Sequence, residues 1–489
     1  MNSSNLIAWA PELVYNAGSF NTGVAVASDE AGTIARFVSA NQVENRIPFK
    51  NRALLPGLIN AHSHAFQRVI RGRTEYATAN QKDSFWTWRE LMYSAALRLS
   101  PEDVYDASRM AFLEMALSGI TSVGEFHYLH RAPDGSAYED PNLLAKEVIR
   151  AANDVGLRIA LLRVAYARAG FEKEANPQQI RFIEPDPETY LKNLEQLAND
   201  LSRGSSPTVK EGLAFSQTEG GLPDVRATVP AWVGVAPHSV RAVPLPYLKE
   251  MIAVANERRL PVHMHIAEQP AEVSACIEEY GRSPISLLAT EGLLSERFTA
   301  VHAIHVTPKA VRLLADARAT VCACPTTERN LGDGIVPIDQ FFAHSVAVSL
   351  GSDSHAQIDL MEDARELEYH LRLQKMERAV LASVDDEGAS AIAARLFQCA
   401  TANGAASINA PGGSLEIGRP ADFFTVDLND PSIAGASSDN LLSAVVFSLS
   451  RTAIKDVVVG GKRIVEDGRH AQQEDIVERF KKLQKKLWG

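Results

Sequence analysis

The feature that most constrains the fold of this chain is an alternation, from residue 54 onward, of short apolar runs with longer segments of helical periodicity. Eight runs have the length and composition of buried strands, and they span residues 54–62, 121–128, 158–166, 232–239, 261–268, 298–305, 320–327 and 345–353. Amphipathic stretches, several of which open with proline, span residues 101–117, 142–155, 187–201, 244–257 and 308–315. Repeated strand and helix units form parallel sheets, so eight of them predict a closed α/β barrel of the TIM type.

Both ends of the chain differ from this pattern. Residues 1–52 and roughly 412–472 contain short β-like pieces separated by Gly and Asn turns, and we expect them to pair into one small β-sandwich domain. Residues 53–411 would form the barrel between the two halves, with a Gly- and Pro-rich linker at 410–419. Residues 412–489 would complete the β domain and add a basic surface helix at 476–487. The segment 204–230, rich in Gly, Ser, Thr and Pro, predicts a loop before the fourth strand.

The composition excludes several classes of protein. The 489 residues are 46% hydrophobic and 22% charged, which is typical of a globular protein that buries a core. Lys and Arg number 49 against 60 Asp and Glu, and the formal net charge of −11 argues against nucleic acid or an anionic membrane surface as a partner. Four scattered cysteines do not make a disulfide framework, and no window is apolar enough to span a membrane or to act as a leader, so we predict a cytoplasmic location.

Histidines and carboxylates collect where the predicted strands end. Strand one ends in HSH (62–64), strand two in EFHY (125–128), strand four in HSVR (238–241), strand five in HMHIAE (263–268), strand six in HAIH (302–305) and strand eight in GSDSH (351–355). Because the carboxyl ends of barrel strands share one rim, we expect these groups to converge there. His is the commonest metal ligand, so the pattern predicts a metal site at this rim.

Individual positions stay ambiguous on the pattern alone. His62 and His64 share a strand face and could bind one cation, but a single HxH pair is also compatible with a polar strand end. His263 and His265 share a face as well, and only its position nearer the rim favours His265. Asp353 could be a metal ligand, a base or the cap of the next helix.

Taken together, the motifs resemble those of the amidohydrolase superfamily, which places HxH after strand one, His after strands five and six, and Asp after strand eight. Similarity to one branch, the formimidoylglutamate deiminase family, runs from about residue 56 to 377 and is carried by LLPGLINAHSHAFQR, DSFWTWRELMY, TSVGEFHYLH, HIAEQ, TERNLGDGI and GSDSH. The more specific pieces are SFWTWR, EFHY and ERNLGDGI, whereas many deaminases share the HxH and GSDSH pieces. The resemblance implies a hydrolase of C–N bonds other than peptide bonds in linear amidines.

The resemblance also implies the site residues. One Zn²⁺ per subunit would be bound by His62, His64, His265 and Asp353. The catalytic groups would be Glu268, His302 and Asp353, and the substrate contacts would be Gln67, Arg89, Tyr128, His238 and Arg241. Binuclear members often bridge two metals with a carboxylated Lys on strand four, and the run WVGVAPHS contains no Lys, so a single metal is the simpler expectation. The family further implies a homodimer.

The implied reaction is the zinc-dependent conversion of N-formimidoyl-L-glutamate to N-formyl-L-glutamate and ammonia in histidine degradation. Metal-bound hydroxide would attack the formimino carbon after Asp353 takes a proton from the water. Glu268 would deliver that proton to the departing nitrogen, and His302 would stabilise the tetrahedral intermediate. The substrate carries two carboxylates, so an acidic chain needs arginines to hold it, and Arg89 and Arg241 are the candidates.

Two other functions remain open at this point. Another aminohydrolase, such as a guanine or other heterocycle deaminase, would share the metal site but would need an aromatic clamp rather than paired arginines. A scaffold or binding protein would be expected to have lost metal ligands, and all four are present. We expect the remaining rim histidines to be structural or supporting, with His355 orienting Asp353, and these are His127, His130, His305, His355 and His370.

Overall fold

The structure, a computed structural model, describes residues 6–40, 45–76, 85–171, 176–204, 231–382 and 390–489. Its strands are β1 Ile7–Asn16, β2 Ser19–Thr22, β3 Val24–Ser28, β4 Ile34–Ser39, β5 Arg46–Pro56, β6 Leu58–Ser63, β7 Ile120–His127, β8 Arg158–Ala165, β9 Ala231–Pro237, β10 Val262–Ile266, β11 Phe298–His302, β12 Thr320–Ala323, β13 Ala347–Leu350, β14 Phe423–Asp427, β15 Ile454–Val459, β16 Lys462–Glu466 and β17 Arg469–His470. Beyond Gly204, the predicted loop at 204–230 lies outside the described residues.

The helices of the described residues alternate with the central strands, as the sequence predicts. They are Phe85–Ala96, Pro101–Leu117, Leu143–Val155, Pro187–Gly204, Leu245–Glu257, Pro270–Tyr280, Pro284–Thr290, Pro308–Asp316, Pro325–Leu331, Ile338–Ala343, Leu360–Lys375, Ala391–Cys399, Ala402–Ile408, Leu441–Ser448 and Gln473–Trp488. Short 3-10 turns span Ala65–Ile70, Pro177–Gln179 and Arg451–Ala453.

Strands β6 to β13 form a parallel sheet in chain order, which confirms the predicted α/β barrel. All residues of β6, β7 and β8 are buried, as expected of strands covered on both faces. The barrel closes just beyond β13, where the Asp353 N–H donates to the His62 carbonyl at 3.0 Å and the His64 N–H donates to the Asp353 carbonyl at 3.1 Å. Closure therefore brings three predicted site residues together through the backbone.

The two ends of the chain meet in a second, mixed sheet. Its order is β17, β16, β15, β14, β5, β1, β3, β4, with β2 paired to β1, so the strands after the barrel join those before it through the β14–β5 pair. The side chains of Trp9, Phe49 and Phe423 pack against one another in its core, with ring centroids 5.4 to 6.3 Å apart. A separate β domain built from both termini is thereby confirmed, while its bounds at residues 52 and 412 stay a prediction.

The prediction of one strand over residues 54–62 is wrong in one respect, because this segment contains the end of one strand and the start of another. β5 ends at Pro56 in the mixed sheet and β6 begins at Leu58 in the barrel, so the chain passes between domains at Gly57. A Cβ atom on Gly57 would lie 2.3 Å from Thr121 Oγ1. Only glycine fits this crossing, since any larger residue would collide with the neighbouring strand.

Five barrel strands end two to four residues earlier than the sequence predicts, at Pro237, Ile266, His302, Ala323 and Leu350. At three of these ends, a residue at or just beyond the strand has a positive φ, with values of 54° at Ala267, 72° at His302 and 45° at Asp353. A residue in the left-handed region cannot continue a strand, so the chain turns into the rim there. His305 consequently lies in a loop beyond β11, and its Nε2 is 2.9 Å from the Asp333 carbonyl oxygen.

Two further features of the described residues bear on the sequence predictions. The last helix, Gln473–Trp488, buries an apolar stripe that includes Phe480 and Leu487 and leaves its basic residues outward. Among the described segments, no helix combines the length and apolarity needed to cross a membrane. All four cysteines are buried free thiols.

Candidate active site

The four predicted metal ligands converge at the rim where the barrel closes. The Nε2 atoms of His62, His64 and His265 lie 3.1 to 3.3 Å from one another. Asp353 Oδ1 lies 3.4 Å from His62 Nε2 and 3.1 Å from His64 Nε2. Ligand atoms placed tetrahedrally at 2.0 to 2.1 Å around Zn²⁺ would be about 3.3 to 3.4 Å apart. Five of the six spacings among the four donor atoms are thus close to those of a tetrahedral zinc site.

Hydrogen bonds on the far side of two rings determine which nitrogen faces the centre. His64 Nδ1 lies 2.9 Å from the Phe126 carbonyl oxygen, and His265 Nδ1 lies 3.2 Å from the His238 carbonyl oxygen. A carbonyl only accepts, so Nδ1 carries the hydrogen in both rings and each Nε2 presents a lone pair. Lone pairs that face each other at this distance repel unless a cation lies between them. The donor set therefore fits a metal ion better than it fits a hydrogen-bonded cluster.

The position of Asp353 depends on a close approach between the last strand and the first. A Cβ on Gly351 would lie 2.7 Å from the His62 Cβ and 3.1 Å from Cys324 Sγ, so glycine at this point lets the chain reach the cage. Burial alone would raise the pKa of Asp353, but the adjacent His62 and His64 side chains hold it well below its usual range. Asp353 is accordingly an anion, the form in which a carboxylate binds a metal ion.

Glu268 and His302 lie beside this cage. His302 Nε2 is 3.6 Å from Glu268 Oε1 and 3.8 Å from Asp353 Oδ2. Burial raises the pKa of Glu268, which favours its protonated form. Burial opposes a charge on His302, but the surrounding carboxylates, led by Glu268, raise its pKa well above the usual value. The pair can therefore hold and pass a proton next to the metal-binding atoms.

Sequence reasoning missed the residue that orients His302. Glu328 Oε1 lies 3.2 Å from His302 Nδ1 and accepts a hydrogen bond from the Cys324 N–H at 2.9 Å. It is 2% exposed, and it opens the helix Pro325–Leu331 from within the motif TERNLGDGI. That motif supported the family resemblance, but its spacing alone could not show that Glu328 turns back towards the rim of β11.

The predicted substrate contacts lie on one wall of the same rim. Gln67 Nε2 donates to the Tyr128 hydroxyl at 2.7 Å, which joins the 3-10 turn after β6 to the end of β7. The His238 ring lies 4.9 Å from the His265 ring and 6.0 Å from the Tyr128 ring, measured between centroids. Three of the predicted contacts are thus next to the cage itself.

The two predicted arginines lie further from the cage on this wall. The Arg89 guanidinium carbon is 5.6 Å from the centroid of the Tyr93 ring, within the helix Phe85–Ala96. Arg241 donates to the Ala169 carbonyl at 3.3 Å. Burial would lower the pKa of Arg241, but Tyr166 and Tyr93 around it raise it above its usual value. Both arginines belong to the same surroundings as Tyr93, the last residue of DSFWTWRELMY, to which the sequence assigned no role.

Other rim histidines take supporting positions. His355 lies 3.1 Å from the Ser352 hydroxyl and 3.2 Å from the Ser63 hydroxyl, so it braces residues next to the ligands. His263 lies 2.9 Å from the Ser407 carbonyl oxygen, away from the cage.

Glu125 braces the turn that follows β6. It accepts from the Ala65 N–H at 2.7 Å and from the Ser63 hydroxyl at 2.5 Å, and burial raises its pKa to about 7. These contacts hold the turn that carries Gln67.

Comparison with known proteins gives a consistent result. The amidohydrolase family model matches residues 53–464. Over 429 residues, the chain is 39% identical to a formimidoylglutamate deiminase of Pseudomonas aeruginosa, with 88% of each chain covered.

Solved structures share the fold. The crystal structure of an amidohydrolase from Brucella melitensis superimposes with a TM-score of 0.86 and 30% identity, covering 99% of this chain and 100% of that one. An adenosine deaminase from Xanthomonas campestris with bound zinc superimposes with a TM-score of 0.76 over 99% of this chain and 98% of its own. At 20% identity, that second likeness concerns the fold alone.

Proposed function

The chain belongs to the amidohydrolase family and is a deiminase that hydrolyses C–N bonds in amidines, and from that premise we propose that its substrate is N-formimidoyl-L-glutamate. The products are N-formyl-L-glutamate and ammonia. The observation that carries the proposal is a cage of four metal-binding side chains that shares one wall with two arginines. One zinc per subunit, a homodimer, a cytoplasmic location and a role in histidine degradation complete the proposal, on the strength of the family resemblance.

His62, His64, His265 and Asp353 would hold the metal. Zinc, when bound, lowers the pKa of its water to about 7 and so supplies hydroxide at neutral pH. The Phe126 and His238 carbonyls keep His64 and His265 in the tautomer that presents Nε2. Preorganised ligands of this kind need no rearrangement when the cation enters.

Proton transfer belongs to Asp353 and Glu268. Asp353 has one oxygen in the cage and the other 3.8 Å from His302 Nε2, so it can take a proton at the reacting centre. Glu268 lies on the other side of His302 Nε2, at 3.6 Å, and burial favours its protonated form. It delivers the proton to the departing nitrogen, so that ammonia leaves rather than an amide anion. His302, held by Glu328, donates to the tetrahedral intermediate.

Substrate selection belongs to the arginines and to the polar groups around them. The substrate carries two carboxylates, and guanidinium forks bind carboxylates through paired hydrogen bonds. Arg241 follows β9 at the rim, and Arg89 reaches the same surroundings from the helix Phe85–Ala96. Tyr128 and Gln67 are within hydrogen-bond distance of each other next to the cage, where the formimino group would lie.

The test is an ammonia-release assay on the purified protein with three substrates: N-formimidoyl-L-glutamate, guanine and adenosine. We expect release from the first alone, loss of activity after chelation and recovery on adding Zn²⁺. The two purines represent the competing heterocycle deaminases, which would have no use for paired arginines. Turnover of guanine or adenosine without turnover of N-formimidoyl-L-glutamate would replace the proposal with that alternative.

A further inference from the structure

Three tyrosines form a continuous aromatic surface beside the cage, and we name it the tyrosine wall: Tyr93, Tyr128 and Tyr166. Their rings surround that of Phe182, with centroids 5.6, 5.0 and 5.9 Å from it, respectively. Each tyrosine is at most 3% exposed, and they come from three separate segments of the chain. The sequence motifs assigned a role to Tyr128 alone.

Two glutamine amides hold the hydroxyls of the tyrosine wall. Gln179 Nε2 donates to the Tyr93 hydroxyl at 2.7 Å and to the Tyr166 hydroxyl at 2.8 Å, and Gln67 Nε2 donates to the Tyr128 hydroxyl at 2.7 Å. A phenol that accepts such a bond keeps its own proton to donate. Gln179 is 1% exposed, and its Oε1 atom is buried without a hydrogen-bond partner among the described residues.

The tyrosine wall adjoins both the cage and the predicted arginines. The Tyr166 ring is 4.6 Å from the His238 ring, which is 4.9 Å from the ring of the predicted ligand His265. Arg241 interacts with the Tyr166 hydroxyl, and the Arg89 guanidinium lies over the ring of Tyr93. An anion here would meet phenolic donors and two guanidinium groups together.

We propose that the hydroxyls of Tyr93 and Tyr166 donate to one carboxylate of the substrate alongside Arg241, and that Gln179 is the positioning residue that aims them. The inference rests on the proposed function, because it needs a substrate with two carboxylates. The carboxylate carbons of N-formimidoyl-L-glutamate lie three and five bonds from the formimino carbon. Because bond angles shorten an extended chain of bonds of roughly 1.5 Å, the further carboxylate carbon lies up to about 6 Å away. A wall one ring away from the cage is therefore within reach of one of them.

The direction of the Gln179 hydrogen bonds can be tested with two substitutions of similar size. Gln179→Leu removes the donor, and Gln179→Glu replaces it with an acceptor that takes the phenolic protons away from the substrate. We expect kcat/KM for N-formimidoyl-L-glutamate to fall about tenfold in Gln179→Leu and further in Gln179→Glu, mainly through KM, because these bonds form on binding. Gln178→Leu, an exposed neighbour in the same 3-10 turn, should stay within twofold of the wild type.

A purely structural role for Gln179 predicts the opposite order, since an isosteric carboxylate could still hydrogen-bond to both tyrosines. Better activity in Gln179→Glu than in Gln179→Leu at equal melting temperature would overturn the proposal. Tyr93→Phe and Tyr166→Phe supply a second measurement that changes packing little. Each should lower kcat/KM for the diacid about 10- to 100-fold, as expected when a hydrogen bond to a charged group is lost.

Substrate analogues show whether the effect concerns a carboxylate. N-formimidoyl-L-glutamine and N-formimidoyl-L-isoglutamine each replace one carboxylate with an amide. With the analogue that lacks the carboxylate bound by the tyrosine wall, kcat/KM of Gln179→Leu should differ from that of the wild type by no more than about threefold. If Gln179→Leu lowers kcat/KM as much with both analogues as with N-formimidoyl-L-glutamate, the inference is overturned but the proposed function still stands. Failure of the wild-type protein to hydrolyse N-formimidoyl-L-glutamate would refute both together.

Discussion

Arg163→Met should destabilise the protein more than any single change outside the cage that we consider. Arg163 ends up fully buried on β8, where Nη2 donates to Glu184 Oε1 at 2.8 Å, Nη1 donates to the other carboxylate oxygen, and Nε donates to Asn142 Oδ1 at 3.0 Å. Asn193 adds a 2.8 Å bond to Glu184. Glu184 follows Gln179 by five residues, so the pair anchors the segment that holds the tyrosine wall.

The size of the stability loss in Arg163→Met follows from the buried Glu184 carboxylate, which loses its partner. Burial would raise the pKa of Glu184, but Arg163 and its neighbours hold it at about 2. The usual value is about 4.3, and a difference of about two pH units corresponds to about 3 kcal/mol. Removing one partner of a buried ion pair typically costs about 3 to 5 kcal/mol, in agreement with this value.

Urea unfolding followed by tryptophan fluorescence measures the change. With a slope of about 3 kcal/mol/M, the midpoint for Arg163→Met should fall by about 1 M or more at pH 7. The double variant Arg163→Met/Glu184→Leu is the matched control, and it should recover most of the loss because no buried charge remains. An unchanged midpoint in the single variant would refute the reasoning.

The Arg163–Glu184 ion pair also determines how the stability of the protein changes with pH. The pKa of Glu184 is depressed in the folded state, so its stabilisation is fully present above about pH 4.3 and is lost as the pH falls towards about 2. In Arg163→Met the unpaired buried carboxylate has a raised pKa, so acid relieves its cost. The stability gap between wild type and variant should therefore narrow from pH 7 to pH 4, and a widening gap would contradict the ion-pair account.

Three further predictions concern the reaction. Asp353→Asn should keep the fold by circular dichroism but lose nearly all activity and most bound zinc, and a fully active variant would remove Asp353 from its assigned role. Arg241→Met should lower kcat/KM for the diacid by a factor equivalent to about 2 to 5 kcal/mol, the loss typical of a broken charge pair. An unchanged kcat/KM would exclude Arg241 from the site. Glu328→Gln should lower kcat about 10- to 100-fold with little change in KM, because it weakens the group that orients His302, and steady-state kinetics with an unaltered kcat would assign Glu328 a purely structural role.

The barrel and its rim were predictable because the sequence alternates apolar runs of strand length with amphipathic segments of helical period. Buried parallel strands are largely apolar, and histidines and carboxylates collect where the strands end, so both the order of strands and the rim residues follow from the pattern. The four cage residues satisfied that logic, and their ligand atoms all lie within 4.8 Å of one another. The pattern could not distinguish His263 from His265, which share a strand face and differ in depth along the barrel axis.

Groups that reach the site from loops and helices were not predictable in this way. Glu328 lies 26 residues from His302, and Gln179 lies 86 residues from Tyr93, so their contacts depend on how the chain folds back over the rim. Gln179 belongs to no short motif, and Glu328 lies in TERNLGDGI, whose spacing does not show that its side chain reaches His302. The ends of β10, β11 and β13 were misplaced for a related reason, because a left-handed residue such as His302 has no signature in composition.

The central claim, a zinc-dependent deiminase of a small diacid, is tested most directly by measuring ammonia release and zinc content on the same sample. The metal is first removed by chelation and then restored in steps, and activity towards N-formimidoyl-L-glutamate is recorded at each step. The account predicts that activity rises in proportion to bound zinc and reaches its maximum at one zinc per chain. Folded protein that is fully loaded with zinc and releases no ammonia from this substrate would contradict it.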